Sequence, residues 1–197
     1  MIKDLLKRTF IYDIVIAFRR MVMICSYHIN PKRYISNCYK KKMRGKKVDW
    51  KNPTDLNEKI QWLKLYSDTS KWTKLADKLL VREYIENCGL KNILVPLFGV
   101  FTNAKDIDFD KLPESFVLKT NHGSGDTMII NDKTLINKEE IIKTLNNNLK
   151  HKFGYECGEP HYFPIKPVII AERLLINDDS KISSSIIDYK FWCFNGK

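Results

Sequence analysis

The spacing of apolar and polar positions changes along this chain, and each change marks a different kind of element. From residue 3 to 27 the polar residues Asp4, Arg8, Tyr12 and Arg19, with Lys7, Asp13 and Arg20 beside them, recur at intervals of three, four or seven. Leu5, Leu6, Phe10, Ile14, Val15, Phe18, Met21, Val22 and Cys25 fill the other positions. That pattern predicts a largely apolar helix with one polar stripe, ended by Pro31. A basic run from Lys40 to Lys47 follows and reads as a solvated loop.

Asp55 with Glu58 three residues later has the spacing of an N-cap and its capping-box partner. Leu56, Ile60, Trp62 and Leu63 give that helix its buried face up to about Tyr66. A second helix is predicted from Ser70 to Cys88, with Trp72, Leu75, Leu79, Val81, Tyr84 and Ile85 inward and Gly89 as its C-terminal cap. Short apolar runs then take over. Ile93–Val100, Ser115–Thr120, Thr127–Asn131, Pro167–Glu172 and Asp188–Phe194 read as strands, with one amphipathic helix from Asn137 to His151 among them. Asn195-Gly196 is a hairpin turn signal, one residue before the sequence stops at Lys197. A half-made hairpin leaves an unpaired edge, so the expectation is a domain cut short.

Charge sharpens the division of the chain. The 197 residues carry 34 Lys and Arg against 23 Asp and Glu, a net charge of +11. Residues 1–47 hold 13 of the cations and only two acids, Asp4 and Asp13, while the remainder is neutral overall. A basic face spread over the whole protein, as a dedicated nucleic-acid binder shows, is excluded. No aromatic residues interleave the basic run for base stacking, which argues against nucleic acid there too. The division expected is a basic amphipathic arm over 1–48, a helical subdomain over 49–90 and a nucleotide-binding region over 91–197.

Two readings of the arm stand side by side. The helix either lies on an anionic membrane surface or docks on the protein's own core. A membrane span is rejected, because Arg19-Arg20 in mid-span would cost about 2.5–3.5 kcal/mol each. No signal-peptide cleavage site follows. The five cysteines are scattered without a C-x-x-C pair, so neither a disulfide framework nor a zinc knuckle is indicated, and a reducing cytoplasm is the expected compartment.

The segment Phe116-Val117-Leu118-Lys119-Thr120-Asn121-His122-Gly123-Ser124-Gly125-Asp126-Thr127 carries the candidate chemistry. A strand ends near Lys119, a glycine-bearing turn follows, and a second strand begins at Thr127. Glycines let several backbone N–H groups converge on an anion. His122 and Ser124 add donors, and Lys119 adds a charge on a rigid strand. It is not a P-loop, which needs Gly-Lys-Ser/Thr leading into a helix. Taken alone, a Gly-x-Gly turn is usually only a turn. Later strands carry Glu172-Arg173 and Asp188 with Lys190 in otherwise apolar surroundings, which is costly for buried and unpaired charge.

From about Asn52 onward the sequence resembles the TupA-like ATP-grasp family of cell-envelope polysaccharide biosynthesis. The resemblance rests on Leu56-Asn57-Glu58-Lys59-Ile60-Gln61-Trp62, on Lys74-Leu75-Ala76-Asp77-Lys78 with Val81-Arg82-Glu83-Tyr84, on Lys119 with Asn121–Gly125, and on Asp188-Tyr189-Lys190-Phe191 with Phe194–Lys197. It implies an α+β, ATP-grasp-like fold, preceded here by N-terminal helices and incomplete at its C-terminal end. By that resemblance Lys119 reaches the nucleotide phosphates and His122, Gly123, Ser124 and Gly125 form the flap over them. Glu172, Arg173 and Leu175 belong to the hinge strand beside the adenine. Lys78 and Lys190 are further contacts.

The implied cofactors are ATP and magnesium, with the metal ligands expected beyond Lys197. The implied reaction is carboxylate–amine ligation through an acyl phosphate, on a sugar-acid or peptide substrate, in the cytoplasm or at the inner membrane face. No catalytic residue is assigned. Two rival readings remain at this level. Asp106-Ile107-Asp108-Phe109-Asp110 contains overlapping Asp-x-Asp triplets, which could serve a glycosyltransferase of capsule or lipopolysaccharide assembly. The other is a non-catalytic module that acts through its basic arm.

Overall fold

The computed structural model of the chain describes residues 10–176 and 189–193. The expectations placed on residues 3–9, on Asp188 and on the Phe194–Lys197 turn lie outside the described residues.

Among the described residues two helices come first, α1 over Phe10–Ile29 and α2 over Pro31–Lys42. Pro31 therefore opens a second helix as well as ending the first. Its missing N–H costs nothing at the first helical position. The Asn30 side chain caps that helix by accepting from the Arg33 N–H at 2.8 Å. The lysine run was expected as a loop, but Lys40, Lys41 and Lys42 form the last turn of α2. Cations there complement the negative end of the helix dipole.

α3 (Leu56–Tyr66) starts as the sequence suggests. Asp55 accepts from the Glu58 N–H at 2.9 Å, and Glu58 reaches back to the Thr54 N–H at 3.1 Å, one residue beyond the usual capping box.

The single helix expected over Ser70–Cys88 is two helices, α4 (Ser70–Ala76) and α5 (Leu80–Asn87). Asp77 makes the break. Its Oδ1 accepts from the Leu79 and Leu80 N–H groups at 2.8 and 3.2 Å, capping α5 from inside a continuous helical pattern. Gly89, at φ +76°, ends α5 as expected. Leu90 N–H bonds to Ile85 and Gly89 N–H to Glu86, the paired bonds of a Schellman cap.

Four strands form one antiparallel sheet: β1 (Leu97–Phe101), β2 (Phe116–Thr120), β3 (Met128–Ile130) and β4 (Ile169–Arg173), in the order β1-β4-β2-β3. β1 begins later than predicted because Lys91–Ile93 close a single 3-10 turn. The strand expected over Asp188–Phe194 is not formed in its described part. Tyr189–Cys193 is not in a strand, and Tyr189, Phe191 and Trp192 are exposed. An apolar run becomes a strand only where a neighbouring strand and a core receive it.

α6 (Lys138–Leu149) covers one face of the sheet. Its Ile141 and Leu145 pack with Phe116, Leu118, Ile169 and Ala171, and Ala104, Ile107, Phe109 and Leu112 close the edge of this core. The short α7 (Phe153–Cys157) joins a second packing centre. Tyr155 stacks on Phe163 with centroids 3.9 Å apart, and Tyr27 of α1 meets Phe163 edge-on at 4.8 Å. His28 lies 3.0 Å from the Tyr155 hydroxyl, and the Tyr34 hydroxyl donates to the Tyr155 carbonyl at 2.8 Å. The C-terminal end of α1 is therefore docked on the protein's own body. α2 and α7 approach so closely that a Cβ on Gly158 would stand 3.0 Å from the Cys38 Cβ.

Candidate functional site

Residues Phe116, Leu118 and Thr120 of β2 are buried, and alternation sends Val117 and Lys119 to the other face. On that face Val117 stands opposite Glu172 of β4, which puts Lys119 and Glu172 in diagonal positions across the two strands. Their side chains form an ion pair. The second Glu172 oxygen lies 3.6 Å from Arg82 Nη1 of α5, and Arg82 Nη2 donates to the Val95 carbonyl at 2.7 Å. Glu172 is buried, so the charge that looked costly in the sequence is paired twice. One carboxylate between two cations leaves a positive surplus on this face.

The turn after β2 is braced from beneath. Asn121 is buried and fully used. Its amide donates to Asp77 Oδ1 and to the Lys166 carbonyl, each at 3.0 Å, and its Oδ1 accepts from the Val168 N–H at 2.8 Å. Its backbone accepts from the Lys78 N–H at 3.1 Å and donates to the Val168 carbonyl at 3.0 Å. Lys78 Nζ then donates to the carbonyls of Thr120, at 3.1 Å, and Gly123. Asp126 closes the turn by accepting from the Thr120 N–H at 3.0 Å and from the Thr120 hydroxyl. Gly125 sits at φ +82°, where a side chain would be strained. Ser124 and Gly125 are exposed at the tip.

Beside the turn is a cleft of about 360 Å³, lined on one side by Thr120 and His122–Met128 and on the other by Thr144 and Asn148 of α6 with His151 and Phe153. His122 is buried, and burial lowers its pKa below the usual imidazole value despite its bond to a carbonyl. The neutral ring donates through Nε2 to the His151 carbonyl at 3.2 Å, which leaves Nδ1 an acceptor without a partner among the described residues. Asp126 Oδ1 is likewise buried and unpartnered there. Burial also lowers the pKa of Lys78, with Lys119 adding to it and Asp126, Asp77 and Glu172 opposing it.

A model of the TupA-like ATPgrasp family matches residues 58–197, well over half of the chain. This chain belongs to the TupA-like ATPgrasp family. No curated protein and no solved structure matches it. The family match begins at Glu58, in the first turn of α3, and takes in Lys78, Lys119 and Glu172, while α1 and α2 lie ahead of it. ATP-grasp membership carries a nucleotide as partner. The four-stranded antiparallel sheet with its helices is the α+β architecture expected of it.

Of the residues named from the sequence of this TupA-like chain, the structure gathers Lys78, Lys119, His122, Gly123, Ser124, Gly125 and Glu172 around one end of β2. Arg173 is exposed at the end of β4, with its N–H bonded to the Pro96 carbonyl at 3.0 Å, and Leu175 is exposed beyond it. Lys190 is exposed. Sequence reasoning missed Arg82, Asp77, Asn121 and Asp126 as parts of the site. Asp77 left a readable trace, an Asx residue in mid-helix just before a lysine.

Among the described residues no group of three or more His, Cys, Asp or Glu could hold a metal. Two of the three acids of the Asp-x-Asp triplets, Asp108 and Asp110, are occupied locally. Asp108 caps a short turn through the Asp110 N–H and pairs with Lys111 at 3.1 Å, and Asp110 pairs with Lys138 at 3.1 Å.

Proposed function

We propose that this chain binds ATP with Lys119 and the His122–Gly125 turn, as the nucleotide-holding part of a carboxylate–amine ligase of cell-surface polysaccharide assembly. In this reading residues 91–197 form the nucleotide-binding region, and the helices of 49–90 supply Lys78 and Arg82. Glu172 to Leu175 border the adenine, and Lys190 is a further contact to phosphate or acceptor. The observation that carries it is the Lys119–Glu172–Arg82 cluster next to a braced glycine turn. A triphosphate entering there replaces Glu172 as the partner of Lys119, and the exposed turn offers its N–H groups to the same anion.

The reaction proposed is acyl-phosphate ligation. A substrate carboxylate oxygen attacks the γ-phosphorus and its bond to the ADP oxygen breaks. An amine nitrogen then attacks the acyl carbon, phosphate leaves and the amine gives up its proton. The substrate class is a sugar acid or peptide. The part played by this chain is to orient the triphosphate and neutralise its charge with Lys119, Arg82 and backbone N–H groups.

Titration with a fluorescent ATP analogue tests the reading. Wild type binds and is competed by ATP and ADP, and Lys119→Ala loses about tenfold or more in affinity, the scale of one charge-assisted phosphate contact. Equal affinity in the two proteins would falsify it.

A further inference from the structure

α1 shows two different sides. Ile16, Arg20, Met23, Ile24 and Tyr27 are the less exposed positions, at intervals of four, three, one and three, and they form its inward face. The opposite side carries Ile14, Val15, Phe18, Met21, Val22 and Ile29, each at least 44% exposed, with the exposed Cys25 among them. Those intervals of one, three and four trace one continuous stripe. A helix docked by its C-terminal end through Tyr27 and His28 thus presents an apolar stripe outward, where nothing among the described residues covers it.

The charge of the segment that carries that stripe and follows it points to its occupant. Residues 14–47 contain ten Lys and Arg and no Asp or Glu. Among the described residues two of the ten are engaged by acids, Lys42 with Glu159 at 3.6 Å and Lys46 with Asp55 and Glu58. Arg19, Lys32, Arg33, Lys40, Lys41, Arg44 and Lys47 are exposed. A second copy of this chain would bring two such cationic segments together, which like-charge repulsion opposes. An anionic lipid surface satisfies both features at once, since acyl chains receive the stripe and headgroup phosphates receive the cations. No described helix is long and apolar enough to cross a membrane.

We infer that α1 and the cationic end of α2 form a docking surface for an anionic bilayer, with Phe18, Met21 and Val22 in the acyl boundary. The surface lies outside the nucleotide site, so a chain that binds ATP but not vesicles overturns this inference alone.

Flotation of the full chain with vesicles tests it. The probes are phosphatidylcholine vesicles with and without about one-third phosphatidylserine, at low and high salt. Binding is expected only to the phosphatidylserine vesicles and to fall by about tenfold or more at high salt, since exposed charges are screened. Phe18→Glu with Val22→Glu should lower it at least about tenfold, because both side chains leave the acyl boundary. Lys40→Glu with Lys41→Glu leaves α1 intact and should lower it about fivefold or more per cation lost. Lack of binding to anionic vesicles, equal binding to both kinds, or binding unchanged by either pair of substitutions overturns the inference. So does a stable dimer that the Phe18→Glu and Val22→Glu pair dissolves.

Discussion

The Nζ of Lys78 donates to the carbonyl of Gly123, so the break between α4 and α5 is tied directly to the glycine turn. The same amine bonds to the Thr120 carbonyl at 3.1 Å, and the Lys78 backbone N–H to the Asn121 carbonyl at 3.1 Å. The kink made by Asp77 is what aims Lys78 at the turn. Lys78→Met keeps the stem but removes every donor. The carbonyls of Thr120 and Gly123 then lose this donor in a half-buried setting, at an expected cost of about 2 kcal/mol in stability. The loosened turn should also bind ATP about tenfold more weakly. Urea unfolding and nucleotide titration check the two effects separately. Unchanged affinity in a destabilised protein would leave Lys78 a purely structural brace.

Lys119 and Glu172 should separate stability from binding. Glu172→Gln leaves Lys119 and Arg82 close together without their shared anion, which should cost about 3 kcal/mol. Lys119→Met leaves Glu172 still paired with Arg82, so its stability loss should be smaller. The order should reverse for ATP, where Lys119→Met is the more damaging change. Thermal melting with and without nucleotide checks this. The same ranking of the two variants in both assays would argue that Lys119 serves the fold and not the phosphate.

Asn121 makes the sharpest demand on side-chain chemistry. Its amide needs two acceptors, Asp77 and the Lys166 carbonyl, and its oxygen needs the Val168 N–H. Asn121→Ala leaves three groups without their partner, the buried Asp77 carboxylate, the Lys166 carbonyl and the Val168 N–H, and should cost about 3 kcal/mol. Asn121→Asp keeps the shape but sets a carboxylate against Asp77 and a carbonyl, and should be at least as damaging. Chemical denaturation of the two variants decides it. An Asp variant as stable as wild type would show that the amide's bonds to Asp77 and the Lys166 carbonyl add nothing to stability.

The helices and strands that were legible in the sequence are those whose hydrophobic period is uninterrupted. β2, β3 and α6 follow from Phe116 and Leu118 and from Ile141 and Leu145, whereas α3 forms where its cap predicts but leaves Leu56, Trp62 and Leu63, expected inward, exposed and buries Glu58 instead. Lys119 and the glycine turn were legible because residue type alone suggests anion chemistry. What stayed hidden depends on contacts across 40 or more positions in sequence, as between Asp77 and Asn121. Periodicity reads α4 and α5 as one helix because it weighs side-chain hydrophobicity and not the competition of Asp77 for backbone N–H groups. The outward stripe on α1 was visible as apolar residues, but which side would dock depends on Tyr27 meeting Phe163 and Tyr155.

One buried histidine, His122, and one half-buried histidine, His161, make the fold sensitive to pH. Burial lowers the pKa of His122 below its ordinary 6.5, and burial, aided by Lys64, does the same to His161 against the pull of Glu159. In the unfolded chain both rings take up a proton near pH 6.5, while in the folded chain they resist it. The unfolded state therefore binds more protons in the window below 6.5, and stability rises with pH across that window. Stability should be full above about pH 7 and be lost progressively as pH falls from about 6.5 through the lowered folded values. Asp55, Asp108 and Asp132, whose pKa values are lowered chiefly by side-chain hydrogen bonds, add their own loss only at lower pH, below the carboxylate range. His122→Gln keeps a donor for the His151 carbonyl but cannot titrate, so its urea midpoint should vary less between pH 7.5 and 5 than that of wild type. His161→Gln should flatten the remaining slope. A wild-type midpoint that is constant over this range, or one that rises as pH falls, would contradict the lowered pKa values of both rings.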